Sequence, residues 1–139
     1  MTTTNHADLV FPASPGQQRL WFLHQMNPDS ARAYGMAAQA ELIGTVDTLA
    51  LQRALNGVVA RHEALRTCLR REGDRLQQIV HDGVSVSLQE RDLRSVPERE
   101  RAAQRDRILA HVARRGWDLN TAPLIRATLV RTDDRHAVL

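Results

Sequence analysis

The stretch Ser14-Pro15-Gly16-Gln17 constrains the fold of this chain more than any other. The serine can accept a hydrogen bond from the backbone three residues on. The proline sits where a first helical residue needs no N–H, and the glutamine can reach back to the serine. Together they form a capping box and fix a helix start. That helix carries Leu20, Trp21, Leu23 and His24, and it must stop at Asn27 because Pro28 disfavours the helical conformation in the residue before it.

The rest of the chain reads outward from this helix. Residues 1–10 read as a short polar tail and 28–35 as a loop. Met36 to Ile43 alternates and reads as a strand ended by Gly44. Asp47 is placed to cap a second helix, with Val46 set to pack on Leu51 as a hydrophobic staple. Leu51, Leu55, Val58, Val59 and His62 fall on one face of that helix. Residues 65–71 read as a strand, which Gly73-Asp74 turns into a second strand, Leu76 to Val80. Asp82-Gly83 is a turn signal, and Val84 to Leu88 alternates cleanly. Residues 97–115 read as a helix started by Pro97 and ended by Gly116, with Ile108, Leu109 and Val112 as its apolar stripe. Strands at 124–131 and 135–139 meet at Thr132-Asp133-Asp134. This order predicts a layered α/β sandwich with a mixed sheet and flanking helices. The chain stops on Ala137-Val138-Leu139, inside an apolar strand, where a domain rarely finishes, so the sequence reads as cut.

Composition narrows the function. With 42% hydrophobic and 25% charged residues the chain is an ordinary globular sequence, neither collagen-like nor low-complexity. No apolar run approaches the ~18 residues of a membrane span, and the N-terminus has no signal-peptide pattern. The single cysteine, Cys68, cannot form an internal disulfide, which fits a reducing, cytoplasmic setting. All 19 basic residues are arginine, interleaved with 16 acids, and such interleaving cancels the field that a nucleic-acid partner needs.

Few residues suggest chemistry by themselves. His62-Glu63-Ala64-Leu65-Arg66 opens like a zinc-protease helix, but Arg66 stands where the second histidine is required, so no metal is expected. The glycines are isolated and build no phosphate loop. Cys68 reads as a buried structural cysteine, with no histidine beside it in sequence. Arg61, His62, Glu63 and Arg66 bring four ionisable groups to a helix end and the strand after it. Buried charges need partners, so this cluster reads as a polar network bracing a nearby site.

Two segments carry a family resemblance. Ser14-Pro15-Gly16-Gln17-Gln18-Arg19-Leu20-Trp21-Phe22-Leu23 resembles the first core motif of nonribosomal peptide synthetase condensation domains, Ser-x-Ala-Gln-x-Arg-Leu-Trp-x-Leu, with Gly16 for alanine. Arg61-His62-Glu63-Ala64-Leu65-Arg66-Thr67-Cys68-Leu69 resembles the second, Arg-His-Glu-x-Leu-Arg-Thr-x-Phe, with Leu69 for phenylalanine. Their order and spacing fit, as does the stretch from Trp117 to Arg131.

The resemblance implies a fold similar to chloramphenicol acetyltransferase, two lobes forming a V with a tunnel between them. It implies carrier proteins that present phosphopantetheine-tethered substrates, and an acceptor amine that attacks a donor thioester. The family's catalytic residue is the second histidine of a third motif, His-His-x-x-x-Asp-Gly. That motif does not occur in these residues, and His81-Asp82-Gly83 reads as a β-turn. The chain is thus expected to be an incomplete condensation domain, its N-terminal lobe spanning 11–139. It should hold no catalytic residue, bind no cofactor or metal directly and be inactive alone. Its partners would be carrier proteins, the C-terminal lobe and an adenylation domain, with no nucleic acid and no membrane. Ser14, Gln17, Arg19 and Trp21 are assigned to capping and core packing. Arg61, His62, Glu63 and Arg66 are assigned to supporting the site. In the family an arginine of the second motif pairs with the aspartate of the third, so Arg61 and Arg66 are expected here to be unpaired or exposed. The wording of the first motif favours the ordinary or starter type over the cyclising type, and starter and elongation types both stay open. The alternative is a noncatalytic condensation-like module that recruits a partner enzyme.

Overall fold

The computed structural model describes residues 8–27 and 34–139. In chain order these form β1 (Leu9–Pro12), α1 (Pro15–Met26), β2 (Glu41–Ile43), α2 (Thr48–Arg61), a 3-10 turn (Glu63–Arg66), β3 (Thr67–Glu72), β4 (Arg75–Val80), β5 (Leu88–Asp92), α3 (Glu98–Ala113), β6 (Ala127–Arg131) and β7 (His136–Val138). The α/β class and the mixed sheet are as expected, and a second sheet accompanies it. One is antiparallel, in the order β1-β4-β3, and the other runs β2-β7-β6-β5 with β5 and β6 parallel. The parallel pair requires a crossover, and α3 lies within it.

Local chemistry sets the helix starts. The Ser14 hydroxyl accepts from the Gln17 N–H at 3.2 Å, and Gln17 Oε1 accepts from the Ser14 N–H at 2.7 Å. Asn27 caps the other end, as the proline after it dictates. Gln17 also donates to Gln78 Oε1 at 2.9 Å, tying α1 to β4. Asp47 Oδ1 accepts from the N–H groups of Leu49 and Ala50, so α2 starts where expected.

The structure departs from the sequence reading where distant groups intervene. Leu9 and Val10, read as tail, pair with Val80 and Ile79, so the fold starts earlier. Of the expected loop at 28–35, residues 28–33 lie outside the described residues. Of Met36 to Ile43 only the last three residues are strand, and Met36 is 95% exposed. Leu65 and Arg66 belong to the 3-10 turn rather than a strand, because the Thr67 hydroxyl donates to the Glu63 carbonyl at 2.7 Å and holds the turn closed.

Val84 to Ser87 is not strand. Asn56 and Gln52 of α2 take the backbone groups of Val86 and Leu88 that a neighbouring strand would take. Val86 N–H donates to Asn56 Oδ1 at 3.0 Å and Leu88 N–H to Gln52 Oε1 at 2.8 Å. Strand pairing begins only at Leu88.

Val59, Cys68, Leu129 and Val130 are the most deeply buried side chains, joined by Ile79, Val80, Leu93, Ala137 and Val138. The buried face of α2 is narrower than read, since Val58 is exposed and His62 leaves the helix as its C-cap. Among the described residues no helix is long and apolar enough to cross a membrane.

Candidate functional site

The second motif folds into a corner. Arg61 ends α2 and is exposed, and His62, also exposed, donates its N–H to the Val58 carbonyl at 3.1 Å. The 3-10 turn then swings Arg66 inward, to 16% side-chain exposure. Arg66 Nη1 donates to the His81 carbonyl at 2.8 Å, and the His81 N–H donates to the Arg66 carbonyl at 3.0 Å. Nη2 meets Glu63 Oε1 at 3.4 Å. Nε is buried without a partner.

The four ionisable groups therefore do not form one network. Glu63 and Arg66 pair, whereas Arg61 and His62 point away into solvent. The expectation that both arginines are unpaired or exposed fits Arg61 but fails for Arg66. Two of its three guanidinium nitrogens are engaged, because the His81 carbonyl at the end of β4 lies within reach.

In the first motif, Ser14 and Gln17 form the cap as assigned. Arg19 is exposed, so core packing is not its role. Trp21 is only half-buried, and its Nε1, like Nδ1 of the nearby His24, is buried without a hydrogen-bond partner.

Two grooves that share a wall lie elsewhere, lined by none of the corner's residues. One, of about 470 Å³, is apolar, with Leu55, Leu109, Val112 and Leu139 in its lining. The other, of about 710 Å³, is polar, and Arg91, His111, Arg115 and Asp118 are among its lining residues. Trp117 and Arg126 line both. The Arg126 guanidinium lies 4.2 Å over the Trp117 ring and donates to the Arg115 carbonyl at 3.3 Å. Burial, reinforced by the Arg115 charge, lowers the Arg126 pKa. Asp118 accepts from the Thr121 hydroxyl at 2.6 Å and from both the side chain and the backbone of Asn120, and these bonds hold its carboxyl below the usual range. Among the described residues no group of three or more His, Cys, Asp and Glu could hold a metal ion.

The sequence reading missed His81. Asp82 and Gly83 form a bend after it, and Gly83 adopts φ +70° there, a conformation open to glycine. The imidazole, however, sits between Cys68 Sγ at 3.2 Å and Asp8 Oδ2 at 2.8 Å. The signal was in the hairpin. Pairing Glu72 with Arg75 sets Cys68 opposite Ile79, and alternation then places His81 on the face of the sheet that carries Cys68.

The profile of the family described as Condensation domain matches residues 8–139. This chain belongs to the condensation-domain family. It is 41% identical over 134 residues to chondramide synthase cmdD of Chondromyces crocatus, covering 96% of this chain and 3% of that protein. It is also 38% identical over 128 residues to phosphinothricin tripeptide synthetase PhsC of Streptomyces viridochromogenes, covering 92% of this chain and 12% of that protein. The chain thus spans a small fraction of these relatives. The crystal structure of the starter condensation domain of rhizomide synthetase RzmA matches with a TM-score of 0.82 at 19% identity, covering 94% of this chain and 31% of that one. At that identity the likeness is one of fold.

Proposed function

We propose that this condensation-family chain is the N-terminal lobe of a domain that joins a carrier-tethered acyl or peptidyl donor to an aminoacyl acceptor. The acceptor amine attacks the donor thioester carbonyl, a C–N bond forms, the C–S bond breaks, and the phosphopantetheine thiol leaves with the proton the amine gives up. The observation that carries this reading is Arg66. Its guanidinium is held by the His81 carbonyl and Glu63, and its remaining nitrogen, Nε, is buried without a partner. A buried cationic donor of that kind suits a carboxylate from outside these residues. The aspartate of a His-His-x-x-x-Asp-Gly loop has that chemistry, and through it Arg66 would hold the histidine in place for the amine. Arg61, exposed, would take no part in that contact.

In this reading the partners are carrier proteins, an adenylation domain and the C-terminal lobe, in the cytoplasm. The 139 residues contain no His-His pair, so alone they should form no amide. The test uses the complete domain with loaded donor and acceptor carriers. Arg66→Ala should reduce amide formation about 100-fold, the order expected when a positioning contact is lost. Arg61→Ala should leave it within twofold. Product formed by the 139-residue chain alone, or unchanged product with Arg66→Ala, would overturn the reading, and no product from the complete wild-type domain would favour the noncatalytic module.

A further inference from the structure

The β1–β4 and β3–β4 ladders end on the same residue. Leu9 and Thr67 flank Val80 from its two sides, and neither ladder runs further. The peptide that joins His81 to Asp82 lies just past that end, and side chains hold it instead. At its oxygen, the His81 carbonyl accepts from Arg66 Nη1 at 2.8 Å. At its N–H, Asp82 donates to Asp8 Oδ1 at 3.3 Å. The second oxygen of Asp8 lies 2.8 Å from His81 Nδ1, which carries the proton because an ionised carboxylate only accepts. One carboxylate thus grips both the peptide and the ring beside it.

The charges suit the peptide between them. A peptide dipole is positive at its N–H and negative at its carbonyl. The Asp8 carboxylate stands at the first end and the Arg66 guanidinium at the second. Each strengthens the bond made at the other end, since hydrogen bonds in a chain polarise one another. The clamp also sets the aim of a long side chain. Glu63, the other partner of Arg66, is 59% exposed and meets Nη2 only at 3.4 Å. The His81 carbonyl is the shorter and better buried contact, so a rotation of the 81–82 peptide would carry the guanidinium with it. The next residue is Gly83, at φ +70°, and glycine offers little resistance to such a rotation. Asp8 supplies the resistance.

We propose that Asp8, outside both core motifs, is a positioning residue for Arg66 and acts through the His81–Asp82 peptide. The proposal rests on the reading of Arg66 as the residue that holds the histidine loop. Asp8 touches no reacting group; it fixes the carbonyl that fixes the guanidinium.

The test uses the complete domain with loaded donor and acceptor carriers. Asp8→Ala should lower kcat for amide formation at least fivefold and leave KM for both carriers within twofold. Added to Arg66→Ala, it should cost no more than a further twofold, because its effect runs through Arg66. His81→Ala should lower kcat at least threefold, and His81→Asn, whose amide nitrogen can donate where Nδ1 does, should recover most of that loss. Val10→Ala, which weakens β1 without touching Asp8, should leave kcat within twofold. Exchange of the Arg66 guanidinium protons, followed by NMR and assigned by its loss in Arg66→Ala, should be at least fivefold faster in Asp8→Ala than in wild type. Unchanged exchange or unchanged kcat in Asp8→Ala, a loss that multiplies in the double variant, no recovery with His81→Asn, or an equal loss in Val10→Ala would each overturn the proposal. Faster exchange in Asp8→Ala together with unchanged amide formation in Arg66→Ala would overturn the reading of Arg66, while bearing out the hold of Asp8 on its guanidinium.

Discussion

Arg131, at the end of β6, donates from Nη2 to the Thr48 hydroxyl at 2.6 Å and so fastens the first residue of α2 to the second sheet. The same nitrogen reaches the Val46 carbonyl at 3.0 Å, and Nε pairs with Glu90 of β5. A single planar cation, 14% exposed, thus joins two strands and the start of a helix. Only guanidinium has the fork to do this; an ammonium is a point charge on a flexible stem.

Arg131→Ala is therefore expected to destabilise the chain by about 2 kcal/mol, less than a fully buried pair because Glu90 is partly solvated. Arg131→Lys should recover less than half of that. Urea unfolding of the three proteins measures both. Equal midpoints for wild type and Arg131→Ala would show that the brace is idle.

The cap of α1 can be tested separately from its packing. Ser14→Ala removes the acceptor for the Gln17 N–H and should cost about 1 kcal/mol. Ser14→Asp keeps an acceptor at the positive end of the helix and should restore most of it. The check is the unfolding midpoint of each variant.

Asp92 gives a pH prediction. Hydrogen bonds from Arg94, first from its side chain and then from its backbone, lower the carboxyl from 3.8 to about 2. A carboxyl whose folded pKa lies below its unfolded value binds fewer protons when folded. Its stabilising contribution is complete above about pH 4 and is lost as pH falls towards 2. Carboxyl carbon shifts followed by NMR should give a midpoint near 2 in the native protein. Arg94→Ala should move that midpoint back up, and a native midpoint near 4 would refute the assignment.

Burial separates two aliphatic positions that look alike in sequence. Leu129 is fully buried, and Leu129→Ala should cost about 2–5 kcal/mol. Ile43 is 76% exposed although it lies in β2, and Ile43→Ala should change stability by no more than about 0.5 kcal/mol. Thermal melts of the two variants decide the matter.

These contrasts show what a linear reading could reach. Ser14, Gln17 and Asp47 were legible because each acts on backbone two or three residues away. The hairpin of β3 and β4 was legible because a turn sets its register. Val84 to Ser87 was misread because its partners, Asn56 and Gln52, lie some thirty residues earlier on another element. In the candidate site, Arg61 and Arg66 look equivalent in the motif. The 3-10 turn between them, closed by Thr67, buries one and leaves the other in solvent. His81 passed as a turn residue because the other half of its environment, Asp8, stood in what read as a tail.

The pairing of β2 with β7 has a consequence for how the chain is made. Glu41 finds its ladder partner only in Val138, and β6 and β5 complete the same sheet through β7. On the ribosome, β2 emerges with nothing to pair with and waits while the segments between the two strands are synthesised. Contacts so distant in sequence form late and slowly. Throughout that interval the unpaired β2 is an open edge on which wrong partners can pair.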